Sequence, residues 1–267
     1  MRRAFLLCMV LFFAVTIPLS RTSTASADEK PLPGISEKTT SMQKFPGFFT
    51  YYWDAREGKI FLQVDKWDTE FLYVESLPYG VGSNDIGLDR GQPGETQVAH
   101  FERSGPRVLL VAENERFRAV TDDAVQREAV KQAFAQSVIW GFDAVAADGD
   151  AVLVDATSFF LRDGHDIVAK LQATHQGNYH LDPTRCAIYL PRTKNFPENS
   201  DVEATLTFVG ENPGHWVDEV TPQPTAITVH DHYSFVQAPP PGFHMREFDP
   251  RSGFFCDSVY GFCNACG

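Results

Sequence analysis

The hydrophobic pattern begins in earnest at Phe48-Phe49-Thr50-Tyr51-Tyr52-Trp53 and Lys59-Ile60-Phe61-Leu62-Gln63-Val64. Both runs are rich in aromatic and β-branched residues, and Asp54-Ala55-Arg56-Glu57-Gly58 supplies a turn between them, which predicts a hairpin. Phe71-Leu72-Tyr73-Val74 predicts a third strand. Residues 98–103 and 107–111 flank Ser104-Gly105-Pro106, a second hairpin signal. Together these five segments predict one antiparallel sheet.

Further along, Asp122 and Asp123 follow Thr121, acids placed to complement the positive end of a helix dipole. Val125, Ala129, Ala133, Phe134 and Val138 then fall on one stripe, predicting a helix over 122–138. Residues 143–154 read as two short strands around Asp148-Gly149-Asp150. Phe160, Gly164, Ile167, Val168 and Leu171 predict a second amphipathic helix, weakened by its central glycine. Strands follow at 187–190 and 202–209. In the latter, Val202, Ala204, Leu206 and Phe208 alternate with Glu203, Thr205 and Thr207, the signature of a strand with one wet face. The last strand, 227–236, stops before Pro239-Pro240-Pro241-Gly242, which breaks regular structure. Strands outnumber helices without steady alternation, so the expected class is α+β: mainly antiparallel β-sheet with about two amphipathic helices.

The N-terminus changes the domain picture. Arg2 and Arg3 precede an almost continuous apolar run over 4–19, and Ala25-Ser26-Ala27 carries small residues at signal-peptidase spacing. A signal peptide over 1–27 is expected, cut between Ala27 and Asp28, with export to the periplasm or beyond. No second apolar run approaches a membrane span, so no stable membrane anchor is expected after cleavage. Residues 28–44 are polar, contain Pro31 and Pro33, and read as a disordered leader. Residues 45–255 read as the folded domain.

The formal net charge is −12, and loss of Arg2, Arg3 and Arg21 with the signal would deepen it to −15. Such an acidic balance argues against a nucleic-acid partner. Cys186 is the one cysteine between 28 and 255 and reads as a small buried hydrophobe. Cys256, Cys263 and Cys266 crowd the tail over 256–267, unlike the spread cysteines of a disulfide-stapled domain.

Candidate chemistry is sparse. The densest stretch is GVGSNDIGLDRGQ, residues 80–92, whose glycines demand an unusual backbone path and whose Asp85, Asp89 and Arg90 add charge. A nucleotide cradle would need its glycines to open a helix, and none follows. Calcium could take oxygens from Asn84, Asp85 and Asp89, but the spacing matches no EF-hand. His230 and His232, two apart on one strand, face the same way and are the best metal candidates, sharing their face with Thr228 and Ser234. A plain polar sheet face, which needs no third ligand, is the better account, since no Cys or carboxylate spacing nearby completes a set. Asp163-Gly164-His165-Asp166 has catalytic residue types but falls within the second expected helix. The eight histidines never form HExxH, and no GxSxG is present.

GFFTYYWDAREGKIFLQV, LYVESLPYGVGSNDIGLDRGQ, VLVDATSFFLRDGH, YLPRTKNFPENSDVEATLTF, HDHYSF and FDPRSGFF resemble the N-terminal part of a bacterial family of secreted zinc-dependent metalloproteases. The resemblance covers 45–255, with SNDIGLDRG and FDPRSGFF its most specific pieces. It implies a domain of unknown function ahead of a metzincin-like catalytic domain, whose HExxHxxGxxH motif holds zinc downstream. That motif is missing, so no catalytic residue and no zinc ligand carries over to a numbered position. The chain would then be a non-catalytic accessory or pro-region-like domain, needing no cofactor of its own, with the catalytic domain as partner. The cysteine-rich tail departs from the family's continuation and suggests a frameshift or premature stop. Two other readings stay open. One is a stand-alone glycan- or peptide-binding module using Tyr51, Trp53 and Tyr79; the other is a small metal-dependent hydrolase built on His230 and His232.

Overall fold

In the computed structural model, residues 31–240, 242–244, 251 and 260–262 are described, and the aromatic runs become a thirteen-stranded sheet. A short helix α1 (Ile35–Lys38) precedes β1 (Gln43–Phe45), β2 (Tyr51–Asp54) and β3 (Lys59–Val64). Next come β4 (Phe71–Tyr79), β5 (Gln92–Ser104) and β6 (Arg107–Ala112), then the detached β7 (Phe117–Ala119) and helix α2 (Ala124–Ala133). The chain returns through β8 (Ser137–Asp148) and β9 (Ala151–Asp155), followed by two short helices, α3 (Thr157–Phe160) and α4 (Ile167–Ala173). β10 (Asn178–Leu181), β11 (Ala187–Ile188), β12 (Lys194–Asn195), β13 (Asn199–Glu211), α5 (His215–Val220) and β14 (Ala226–Gln237) complete the body. β15 (Tyr260–Phe262) pairs with β7 in parallel, outside the main sheet.

The sheet runs β1-β2-β3-β9-β8-β6-β5-β4-β14-β13-β10, with β11 and β12 also on β13, and its pairings are antiparallel. The expected α+β class and predominance of antiparallel sheet are therefore observed. The sheet curls until its first strands meet β12 and β13. There the Asn195 side-chain amide donates to Phe45 O at 2.7 Å and Phe49 O at 2.8 Å. Ser200 Oγ accepts from Phe49 N at 2.9 Å and donates to Asn195 Oδ1 at 2.7 Å.

Strand alternation fills the enclosed space. Phe49, Phe71, Phe101 and Phe235 are fully buried, and Phe49 meets the other three edge to face, 5.2 Å from both Phe71 and Phe101. Such aromatic contacts contribute beyond the area they bury. Phe159 and Phe160 of α3 plug the same interior, and Phe159 lies 5.5 Å from Phe142.

Four expectations need correcting. The run expected to be a disordered leader forms α1 and β1 over its described part: Ile35 is buried and its N–H donates to Asp148 Oδ2 at 3.0 Å. The helix expected over 122–138 ends at Ala133, and Val138 belongs to β8. The second helix is broken into α3 and α4 around residues 161–166. The polar face of β13 is not wet, because Glu203 and Thr207 are 2% and 5% exposed. The segment holding β11 and β12 pairs along β13 and brings Thr193 Oγ1 to Glu203 N. The expected signal peptide and its cut between Ala27 and Asp28 lie outside the described residues, as does the tail apart from β15.

A Cβ on Gly47 would overlap the Asn195 amide, so the sheet closure needs the bare backbone there. Asn195→Ala should cost about 1–3 kcal/mol by removing the donor to Phe45 O and one of the two donors to Phe49 O, which keeps Ser200 Oγ at 3.1 Å. Gly47→Ala should destabilise the parent but cost markedly less in the Asn195→Ala background, because the overlap has gone. Denaturant unfolding of the four chains measures both effects, and strictly additive costs would contradict this account of the closure.

Candidate functional site: a buried polar cluster behind the α3–α4 loop

Two strands place acids where their pattern calls for apolar residues. On β4 the buried positions are Phe71, Tyr73, Glu75 and Leu77; on β14 they are Ile227, Val229, Asp231, Tyr233 and Phe235. Both acids sit beside register shifts, one in the β4–β5 pairing between Val74 and Ser76, the other in β14–β4 between His230 and His232. Bulges of this kind re-aim side chains.

The α3–α4 loop carries the complementary charge. Asp163 explains why the expected helix breaks: its carboxylate accepts from Ile167 N at 2.7 Å and Val168 N at 3.0 Å, starting α4 afresh. This leaves Arg162, Gly164 and His165 outside helical geometry and turned toward the acids. Arg162 Nη2 donates to Glu75 Oε1 at 2.6 Å and Tyr73 Oη at 2.7 Å. Tyr73 O–H also donates to Glu75 Oε1, and Tyr233 O–H donates to Arg162 O at 3.2 Å. The guanidinium lies 4.9 Å from the Phe159 ring centre, a cation–π arrangement. Gly164 passes so close that a Cβ there would stand 2.8 Å from Tyr233 Oη and 2.9 Å from Asp231 Oδ2.

In front of this cluster is a cavity of about 470 Å³, lined by Tyr73, Glu75, Arg162, Gly164, His165 and Lys170 among others. His165 is 3% exposed and Asp231 1%. Among the described residues, six buried side-chain polar atoms lack a hydrogen-bond partner, and five belong here: both nitrogens of His165, both carboxylate oxygens of Asp231 and Nε of Arg162. Each such group costs about 1–3 kcal/mol when left unsatisfied. Their concentration behind the α3–α4 loop singles out this region, since native interiors keep such atoms few.

Burial reshapes the ionisation here. Burial, aided by the neighbouring Lys170, lowers His165 to about 4, so the ring is neutral at pH 7 and offers one donor and one acceptor. Burial, reinforced by Glu75, raises Asp231 to about 7. Glu75 is itself raised by burial, against the opposing pull of Tyr73 and Arg162.

Of the stretches weighed in the sequence, Asp163-Gly164-His165-Asp166 falls in this region, whereas the histidine pair and the glycine loop lie elsewhere. His230 and His232 share the outward face of β14, as expected, and Glu203 of β13 lies between them. Its Oε1 is 2.8 Å from His230 Nδ1 and its Oε2 3.3 Å from His232 Nδ1. Burial alone would lower His232, but Asp201 and Glu203 outweigh it and raise the ring. Tyr79 and Tyr189 flank His230 at 5.2 and 4.5 Å. Among the described residues, the group of three with ligand atoms within 4.8 Å of one another is instead Asp68, His100 and Glu102. His100 there touches Glu102 at 2.9 Å and Glu113 at 3.0 Å, a histidine held between two acids.

The glycine loop anchors itself through buried Val81, Ile86 and Leu88, with Val81 N donating to Leu88 O at 2.7 Å. Asp89 accepts from the Gln92 side chain within the loop, whereas Asp85 and Arg90 face outward. Arg90 borders a cavity of about 550 Å³ with Tyr79 and Arg192. Of the aromatics expected to be exposed for ligand stacking, Tyr79 is 61% exposed, but Tyr51 is interior at 1%. Glu75, Arg162 and Asp231 were not anticipated. The available signal was an acid in the inward register of an otherwise apolar strand.

Fold and site define an antiparallel α+β domain with a polar interior cavity. A family model described as a domain of unknown function, DUF5117, matches residues 91–266, and the chain belongs to that family. The match takes in Arg162, His165 and Asp231, begins after Glu75, and runs across the cysteine-rich tail expected to depart from the resembled proteins. No curated protein and no solved structure matches the chain.

The two shifted groups act in opposite directions on stability. Between about pH 4 and 7 the folded chain keeps a proton on Asp231 that the unfolded chain has released, so this group makes stability fall as pH rises. Between about pH 4 and 6.5 the unfolded chain protonates His165 while the folded chain does not, so this group makes stability rise with pH. Relative to the parent, Asp231→Asn should therefore gain stability with rising pH across pH 4–7. His165→Gln should lose it, each by up to about 1.4 kcal/mol per pH unit. Unfolding free energies of parent and variants across pH 4–8 measure this; curves parallel to the parent would contradict it.

Proposed function

We propose that this chain is a non-catalytic accessory domain of a secreted metalloprotease-like protein, docking on a catalytic domain. The resemblance over 45–255 supports the reading, and the sequence lacks the zinc-binding motif such a catalytic domain requires. Export through the N-terminal signal belongs to the same proposal. Among the described residues, no helix is long and apolar enough to cross a membrane.

The observation that carries the reading is the bareness of α2. Val125, Ala129 and Ala133 fall on one stripe of the helix, yet none of its residues is buried. Val125 is 78% exposed, with Val120 at 67% and Val138 at 58% nearby in the chain. Asp123 caps the helix by accepting from Val125 N at 2.8 Å, and Phe134 ties its end down by stacking on Phe117 at 4.0 Å. An amphipathic helix that is held in place but keeps its apolar stripe in solvent suits a partner surface. Outward-facing Asp85 and Arg90 of the glycine loop supply charged contacts of the kind found at interface rims.

The test mixes the full chain with the zinc-bearing catalytic domain of an intact relative and follows binding calorimetrically. Association is expected, with Val125→Asp weakening it about tenfold or more while leaving the melting temperature nearly unchanged. Absence of association, or an unaltered affinity in Val125→Asp, would overturn the proposal.

A further inference from the structure

The face of β5 turned away from Phe101 carries an inference that does not rest on the docking reading. His100 and Glu102 stand two apart on this strand, so their side chains leave the same face. Asp68 reaches them from the loop before β4, and its N–H donates to Phe101 O at 3.0 Å, which pins it beside the pair. Its backbone is left-handed there, with φ 49°, a conformation Asp adopts more readily than most residues. Among the described residues, Asp68, His100 and Glu102 each offer a ligand atom within 4.8 Å of the other two. A separate element orients the ring. Glu113, just past β6, donates its N–H to Val98 O at 2.9 Å, and its Oε1 lies 3.0 Å from His100 Nδ1. Gln136 holds this carboxylate in turn, donating to its Oε2 at 2.5 Å.

This arrangement suits a metal ion. An ionised carboxylate only accepts, so Nδ1 presents a proton to Glu113. That leaves Nε2 facing Glu102 Oε1 at 2.9 Å, with Asp68 beside them. A histidine held by a carboxylate at one nitrogen, with further carboxylates at the other, has the outer-carboxylate, imidazole and metal order of protein metal centres. A cation at Nε2 takes the place of the proton that otherwise joins the ring to Glu102. Charge points the same way. Among the described residues no lysine or arginine pairs with Asp68, Glu102 or Glu113, so three carboxylates gather round one imidazole. His100 is 6% exposed and fixed from two sides, while Asp68 and Glu102 reach solvent, so an ion can enter without opening the fold. One imidazole nitrogen and two carboxylates suit zinc, which takes both ligand types and can leave a fourth position to water. Calcium and magnesium take oxygen ligands. We propose that His100 Nε2, Asp68 and Glu102 bind one zinc ion, with Glu113 as the residue that positions the ring.

Titrating zinc chloride into the full chain tests this, with the histidine ring nitrogens followed by NMR and calcium chloride as the comparator. The His100 Nε2 signal should shift on coordination and saturate at one equivalent, while Nδ1 keeps its proton toward Glu113. Folded Glu113→Gln, which alters no ligand, should weaken zinc at His100 by about 10–100-fold. Folded Asp68→Asn and Glu102→Gln each remove a ligand carboxylate at a position open to solvent, and should weaken it by at least as much. The proposal is overturned if zinc leaves the His100 ring unmoved. That holds whether the chain ignores the ion or takes it up only at His230 and His232, or at Cys256, Cys263 and Cys266. It is equally overturned if calcium binds at His100 in preference to zinc, or if folded Asp68→Asn and Glu102→Gln both hold zinc there as the parent does.

Discussion

The contact between Arg162 and Glu75 is the constraint on which the interior depends. A carboxylate on the inward face of β4 is costly unless a cation reaches it. Here the cation comes from outside the sheet, on a loop that exists because Asp163 ends one helical turn and starts another. Arg162 also ties Tyr73 to Tyr233 through its side chain and its carbonyl, joining two neighbouring strands and the loop in one network. Removing the guanidinium would leave Glu75 buried beside Asp231, two acids with no counter-charge. Losing one partner of a buried pair typically costs about 3–5 kcal/mol.

The same network explains why His165 and Asp231 stay unpartnered. Arg162 is committed to Glu75, Asp163 to the start of α4, and Gly164 offers no side chain. What remains is a neutral imidazole at a cavity wall and a carboxyl group raised toward neutrality behind it. The exposed stripe of α2 lies on a different element and makes no claim on this chemistry.

Much of the sheet was legible because alternation is a local signal. The hairpin at β2 and β3, the break at Asp148-Gly149-Asp150 and the last strand all follow from residue order. The failures have a common cause in long-range packing. Val138 completes a helical stripe on paper, but pairing with Val111 draws it into β8. The polar side of β13 looks solvated until His230 and His232 of β14 close on Glu203. In the strand around 230, attention goes to the paired imidazoles of His230 and His232, which face outward onto Glu203. The residue between them, Asp231, shares the inward register with Val229 and Tyr233. An acid in that register is the readable trace of the candidate site; its partner Arg162 is not readable, because nothing local places residue 162 against residue 75.

The central claim is that Asp231 and His165 are held near neutrality inside a finished fold. Site-resolved NMR titration measures it directly, following the Asp231 carboxyl carbon and the His165 ring nitrogens in the full chain. The account expects an Asp231 midpoint near 7 and a His165 midpoint near 4. Midpoints in the ordinary ranges, about 3.9 for the acid and about 6.5 for the imidazole, would show both groups in water and contradict it.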